Sequence, residues 1–143
     1  MKDLTKNEKL LIDEIKVIQD IIKRMADNSF KIKGWTVTLI VITLIFKGKS
    51  DTNYLLAFLP LFSFWILDTY YLRTERIYRK LYGWVVKNRP TSDEFLFDLN
   101  PKRFESDVDD YLKTMFSISL RMFYGGLLVL LLFISCLDFL GSV

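Results

Sequence analysis

The chain has 143 residues, of which 51% are hydrophobic, 15% aromatic and 26% charged, with a formal net charge of +3. Its mean hydropathy of +0.22 is too apolar for an ordinary small soluble domain, and its charges are segregated into definite stretches. With no His and a single Cys, Cys136, set inside an apolar run, intramolecular disulfides and the usual zinc ligand sets are excluded, and no cofactor is expected.

The first 20 residues, MKDLTKNEKLLIDEIKVIQD, lack the continuous apolar core and small-residue cleavage site of a secretory signal, so insertion without cleavage is expected. From about Lys6 to Asn28 the pattern is helical. Leu11, Ile15, Ile18, Ile22 and Met25 recur at alternating steps of four and three, while Lys9, Glu14, Lys16, Asp20, Lys23 and Asp27 fall on other faces. This narrow stripe has the spacing of a coiled-coil seam. It serves either as an oligomerisation seam or as a packing face within the chain. Residues 1–33 therefore read as an amphipathic cytoplasmic helix, with no breaker before Gly34.

Residues 34–72 read as a transmembrane helical hairpin. Its first arm, GWTVTLIVITLIF from Gly34 to Phe46, gives only about 20 Å of helix, shorter than a hydrocarbon core of roughly 30 Å. Including Phe30 and Ile32 lengthens it, provided Lys31 and Lys33 snorkel back to the headgroups, and Trp35 then falls at the interface. The second arm, YLLAFLPLFSFWILDTYYL from Tyr54 to Leu72, is long enough to cross. Lys23, Arg24, Lys31 and Lys33 precede the first arm and Arg73, Arg76, Arg79 and Lys80 follow the second, whereas the turn holds Lys47 and Lys49. The positive-inside rule then sets the N-terminus in the cytoplasm.

Residues 73–115 read as a cytoplasmic helical segment. RTERIYRKLYGWVV continues the second arm, with Ile77, Leu81 and Trp84 at helical spacing, until Asn88 to Pro90 interrupts it. SDEFLFDL reads as a short amphipathic helix capped by Thr91 or Ser92. Ser106 then precedes the acidic turn Asp107, Asp109 and Asp110, which suits the positive end of a helix dipole. From there one unbroken helix is expected to run to about Leu140. Its part in 116–143, including MFYGGLLVLLLFISCLDFL, forms a third span with the C-terminus outside. The fold class is thus an all-α membrane protein.

Asp68, in FWILDTYYL, is the first residue of interest, because a carboxylate inside a span faces a protein partner or water. Arg121, near the same end of the third span, is its expected partner, with Arg73 and Arg76 as competitors. Asp138, near the outer end of the third span, either snorkels outward or, in an assembly around an axis, forms an acidic ring at a pore mouth. Thr36, Thr38 and Thr43 suit interhelical hydrogen bonds or a weakly polar pore wall, and Gly125 and Gly126 permit close helix approach. Arg73, Arg76, Arg79 and Lys80, with Trp35 and Trp84, are expected to face lipid. Beside a span, Arg and aromatic residues suit anionic lipid and the aromatic belt, so no nucleic acid is expected. Gly-rich phosphate loops, paired carboxylates in a polar cleft and nucleophile–His sets are absent from the sequence, which argues against an enzyme.

RMADNSFKIKGW, from Arg24 to Trp35, and FWILDTYYLRTERIYRKLY, from Phe64 to Tyr82, resemble segments of small bacterial membrane proteins similar in layout to the SLATT-type two-transmembrane effectors of antiviral defence. The likeness covers roughly the first 85 residues and leaves out the third span. It implies a multi-pass protein of the bacterial inner membrane that forms a homo-oligomer or channel and breaches the membrane on a cytoplasmic signal. Its implied partners are membrane lipid, further copies of itself and a cytosolic signalling or sensor protein. The other reading is a non-conducting membrane anchor or adaptor.

Overall fold

A computed structural model describes residues 6–46 and 53–141, and among them every regular element is helical. The stripe seen in the sequence continues without a break into the first apolar arm, giving a single helix α1 over Lys6–Ile45. An antiparallel helix α2, Asn53–Asn88, packs along it. At about 1.5 Å per residue, these helices of 40 and 36 residues measure about 60 and 54 Å, far more than a membrane is thick. Pro60 lies within α2 without ending it. The turn that joins the helices, with Lys47 and Lys49, lies outside the described residues.

Two apolar clusters hold the hairpin. In one, Ile18 of α1 is completely buried against Leu81 and Val85 of α2, and Leu11, Ile15, Ile22, Tyr78, Tyr82, Trp84, Leu99 and Phe104 pack around them. The expected oligomerisation seam is therefore filled within the chain: Ile18 has no exposed surface to offer a second copy, Leu11, Ile15 and Ile22 lean on the same cluster, and Met25 is half-buried. The spacing was right and the occupant is α2. The other cluster joins Ile40, Ala57, Leu61 and Trp65 to Leu120, Tyr124 and Leu131 of a last helix, α4, Ile118–Gly141.

The segment between α2 and α4 departs from expectation. SDEFLFDL makes turns in place of a helix, with Phe95 and Phe97 in left-handed conformations at φ 55° and 56°. Arg89 holds these turns: its guanidinium donates to the carbonyls of Ser92, Glu94 and Phe95, the last of which also accepts from Asp98 N–H at 3.0 Å. A 3-10 helix follows at Pro101–Asp107, with Pro101 at its start and the Asn100 side chain accepting from Lys102 N–H. Its Arg103 guanidinium lies 4.0 Å from the Phe95 ring centroid and 5.0 Å from that of Trp84, closing this end of the hairpin.

Asp110, and not Ser106, caps the next helix, α3 over Tyr111–Met115, by accepting from Lys113 N–H at 2.9 Å. The expected continuous helix is interrupted at Phe116 and Ser117. There Trp65 Nε1 of α2 donates to the Met115 carbonyl at 3.0 Å, which fixes the break against the hairpin. By length and composition, Ile118–Leu137 of α4 can cross a membrane; 17% of it is buried within the chain.

Ile18→Ala is expected to cost about 2–5 kcal/mol, read as a lower midpoint of thermal unfolding in detergent. Val17→Ala, one residue away on the exposed side, is expected to stay within about 0.5 kcal/mol. Equal effects at both positions would contradict this packing.

Candidate functional site

A carboxylate placed in an apolar helix face needs charge or hydrogen bonds to remain ionised. Asp68 has no exposed surface, and all its partners come from other helices. Lys33 Nζ of α1 lies 2.6 Å from Asp68 Oδ2, and Ser29 Oγ, one turn earlier on α1, donates to Oδ1. Lys33 also donates to Ser29 Oγ at 2.8 Å, so the serine relays between cation and anion. From α4, the Tyr124 hydroxyl reaches Asp68 Oδ2 at 3.1 Å and the Phe64 carbonyl at 3.2 Å, sharing its one proton between them. The Tyr124 ring stacks on Trp65 with centroids 5.5 Å apart and planes within 5°. Side chains from three helices thus form one polar cluster around a fully buried Asp68, with Lys33 partly exposed at its rim.

This arrangement corrects the expected Asp68–Arg121 pair. Arg121 is exposed, and Arg73 and Arg76, the competitors, point elsewhere. The α4 face that meets Asp68 carries Leu120 and Tyr124, whereas Arg121, one position on from Leu120, is rotated by about 100° to the outside. Lys33 was expected to snorkel to the headgroups, but it turns inward to Asp68; Lys31 is exposed. Lys33 and Asp68 stand at nearly equal chain distance from the turn, which in an antiparallel hairpin places them side by side. That equal spacing is the signal for the pair that the sequence carries.

The same count finds a second pair, also missed. Arg89 Nε and Nη2 meet Glu14 Oε2 and Oε1 at 2.7 and 2.8 Å in a bidentate bridge whose side chains are only 3% and 1% exposed. Glu14 Oε1 also accepts from the Phe97 N–H at 3.2 Å, so both members grip the loop that follows α2. This cluster lies at the far end of the hairpin from Asp68.

The other expected residues separate. Arg73 donates to the carbonyls of Asp109 and Glu105 and stacks on Tyr111, and Arg76 pairs with Asp109 at 3.6 Å, so both turn to the connector and not to open lipid. Arg79 bonds Glu75 one turn back, and Lys80 is exposed. Trp84, expected on lipid, is half-buried under Phe95 and Arg103. Trp35 is 60% exposed, as an interfacial ring requires. Thr36, Thr38 and Thr43 each donate to the carbonyl four residues back in α1, and buried Thr36 also hydrogen-bonds Tyr124 of α4, the interhelical bond expected of these threonines. A Cβ at Gly125 or Gly126 would meet nothing within 4 Å, so neither glycine admits a close neighbour within the chain. The side chain of Asp138, the expected pore-mouth residue, lies outside the described residues. Among the described residues, no group of His, Cys, Asp or Glu is arranged to hold a metal.

Lys33→Met is expected to cost about 3–5 kcal/mol of unfolding free energy, since it leaves the Asp68 carboxylate buried without its counter-charge. The double change Lys33→Met with Asp68→Leu is expected to recover most of that loss, and Arg121→Leu to stay within about 0.5 kcal/mol. Melting curves in detergent decide the matter: an Arg121→Leu defect as large as that of Lys33→Met would restore the pairing read from the sequence. No protein-family model, curated protein sequence or solved structure matches the chain, so the roles of these residues rest on their geometry.

Proposed function

We propose that the protein is a multi-span membrane protein with its N-terminus and residues 73–115 in the cytoplasm, working as a homo-oligomeric effector that perturbs the membrane on a cytoplasmic signal. The carrying observation is where the large apolar side chains are exposed. Phe30, Val37, Val41 and Ile45 of α1 with Phe46 just after it, Leu56, Leu59, Phe62 and Ile66 of α2, and Met122, Val129, Leu130, Phe133 and Leu137 of α4 form one belt at one end of the molecule. Beyond the Lys33–Asp68 level the exposed residues of α1 are mostly charged, with Phe30 at the boundary. Measured from that level, the belt extends about 18 Å along α1 to Ile45 and about 26 Å along α4 from Tyr124 to Gly141. The composition of the belt suits lipid, and α4 comes nearest to the roughly 30 Å of a hydrocarbon core, while the α1 side falls short of it.

Within one chain these polar groups are satisfied: Asp68 is enclosed, and the threonines bond their own helix, Thr36 also meeting Tyr124. A conducting path would therefore run between copies. The helix best placed to meet another copy is α4, which leans on α2 along one side and leaves most of its circumference uncovered. The layout likeness to SLATT-type effectors agrees with this reading and adds an antiviral setting. The second reading, a non-conducting adaptor, draws support from the same self-sufficiency of Asp68 and from the consumption of the α1 stripe by α2.

Reporter fusions at Arg89 and Val143 are expected to report cytoplasmic and external locations, respectively. On overexpression, dye-reported depolarisation of the bacterial inner membrane is expected, with a thiol-to-thiol crosslinker trapping dimers at the exposed Cys136 on α4. Cys136→Ser should abolish the crosslink and keep the depolarisation. Membrane insertion with monomers only and an intact potential would decide for the adaptor.

A further inference from the structure

The connector does not merely cover α2. Arg73 fixes it through the Asp109 and Glu105 carbonyls, and a groove of about 430 Å³ opens beside this clamp, lined by Arg76, Arg79, Lys80, Asp107, Val108 and Asp109. Its walls carry opposite charge: the three cations come from α2, the two carboxylates from the connector. Arg76 follows Asp68, the level at which the belt ends, by eight positions, or about 12 Å along the axis. In a helix every Cα–Cβ bond leans toward the N-terminus, and the N-terminus of α2 lies on the belt side, so these long cationic side chains lean toward the bilayer. The polar headgroup layer adds roughly 5–8 Å to each side of the hydrocarbon core, and the long Arg and Lys side chains bridge the remaining distance to it.

On the membrane reading above, we propose that this groove binds the zwitterionic headgroup of a phospholipid bearing a primary amine, as in phosphatidylethanolamine. Its phosphate sits among Arg76, Arg79 and Lys80 and its ammonium donates to Asp107 and Asp109, the headgroup taking the place of the 3.6 Å Arg76–Asp109 pair while Arg79 keeps Glu75. Arginine and lysine supply charge-assisted donors to phosphate oxygens, and a carboxylate accepts directly from a primary ammonium. A purely anionic headgroup would separate Asp109 from Arg76 and leave both carboxylates facing like charge with no donor in exchange, and a quaternary choline has no N–H to offer them. The groove thereby seats the connector on the membrane surface beside α2.

The test uses the full chain, first shown by extraction to be membrane-inserted; recovery in the soluble fraction without detergent would remove the membrane reading itself. The delipidated protein is then exchanged into nanodiscs of phosphatidylethanolamine, phosphatidylglycerol or phosphatidylcholine with matched acyl chains, and retained lipid is counted by native mass spectrometry. Retention of phosphatidylethanolamine is expected to exceed that of phosphatidylcholine about tenfold. Asp107→Asn is expected to erase that preference, and Lys80→Gln to lower retention of all three lipids. Circular dichroism checks the fold of each variant, and if either misfolds, the wild-type lipid ratio decides. Equal retention of the two zwitterionic lipids, preference for phosphatidylglycerol, or a preference unchanged in both variants would overturn the site. Displacement of the lipid by soluble phosphoethanolamine at equal concentration would overturn the assignment to a membrane lipid.

Discussion

The burial of one carboxylate constrains the rest of the apolar half. Asp68 sits where water does not reach, and a bare carboxylate there would cost several kcal/mol. Apolar helix faces tolerate sliding and rotation, since one branched side chain packs against another at many registers; a 2.6 Å ion pair does not. Lys33 and Ser29 therefore set the rotation and depth of α1 against α2, and Tyr124 does the same for α4. The cluster also explains why Trp65 is where it is: its ring faces Tyr124 and its indole N–H reaches Met115, so the entry of the chain into α4 is tied to the same point.

At the opposite end the Glu14–Arg89 bridge performs a different task with similar chemistry. Lying 19 residues before Lys33 on α1, Glu14 is about 28 Å away along the axis. Two directional clamps separated by that distance hold two long helices in one register, with Ile18, Leu81 and Val85 packed close to the distal clamp. Arg89 uses its remaining donors on three backbone carbonyls, and this grip maintains Phe95 and Phe97 in a conformation that bulky residues seldom adopt. The strain is local and is offset by the bonds that impose it.

The two ends suggest how a change in the charged half could reach the apolar half. The hairpin is stiff, being continuous helix through both, whereas α4 is joined to it through Tyr124, Trp65 and one apolar cluster. Any movement of α4 relative to the hairpin has to break or carry along the Tyr124 bond to Asp68. The connector is the other link, since Arg73 and Arg76 bind it to α2 just before α3 begins.

Much of this was legible in the sequence. Helical periodicity, the absence of a breaker before Gly34 and the stop at Asn88 to Pro90 follow from local physics, and the helices run as those features require. The apolar composition of Ile118–Leu137 marks that helix without reference to anything it touches. Asp68 could be singled out because a charge in an apolar run is costly wherever the run goes. Partners could not be chosen in the same way. Lys33, Arg73, Arg76 and Arg121 all offered a cation, and only the rotation of each helix about its axis, a property of the packed whole, turned Lys33 inward and Arg121 outward. The stripe from Leu11 to Met25 likewise announced a packing face but not its occupant, since apolar surface is non-directional and α2 and a second copy satisfy it equally. The turns from Phe95 to Phe97 went unseen because a side chain 75 residues from its partner in sequence, Arg89 on Glu14, overrides the local preference for a helix there.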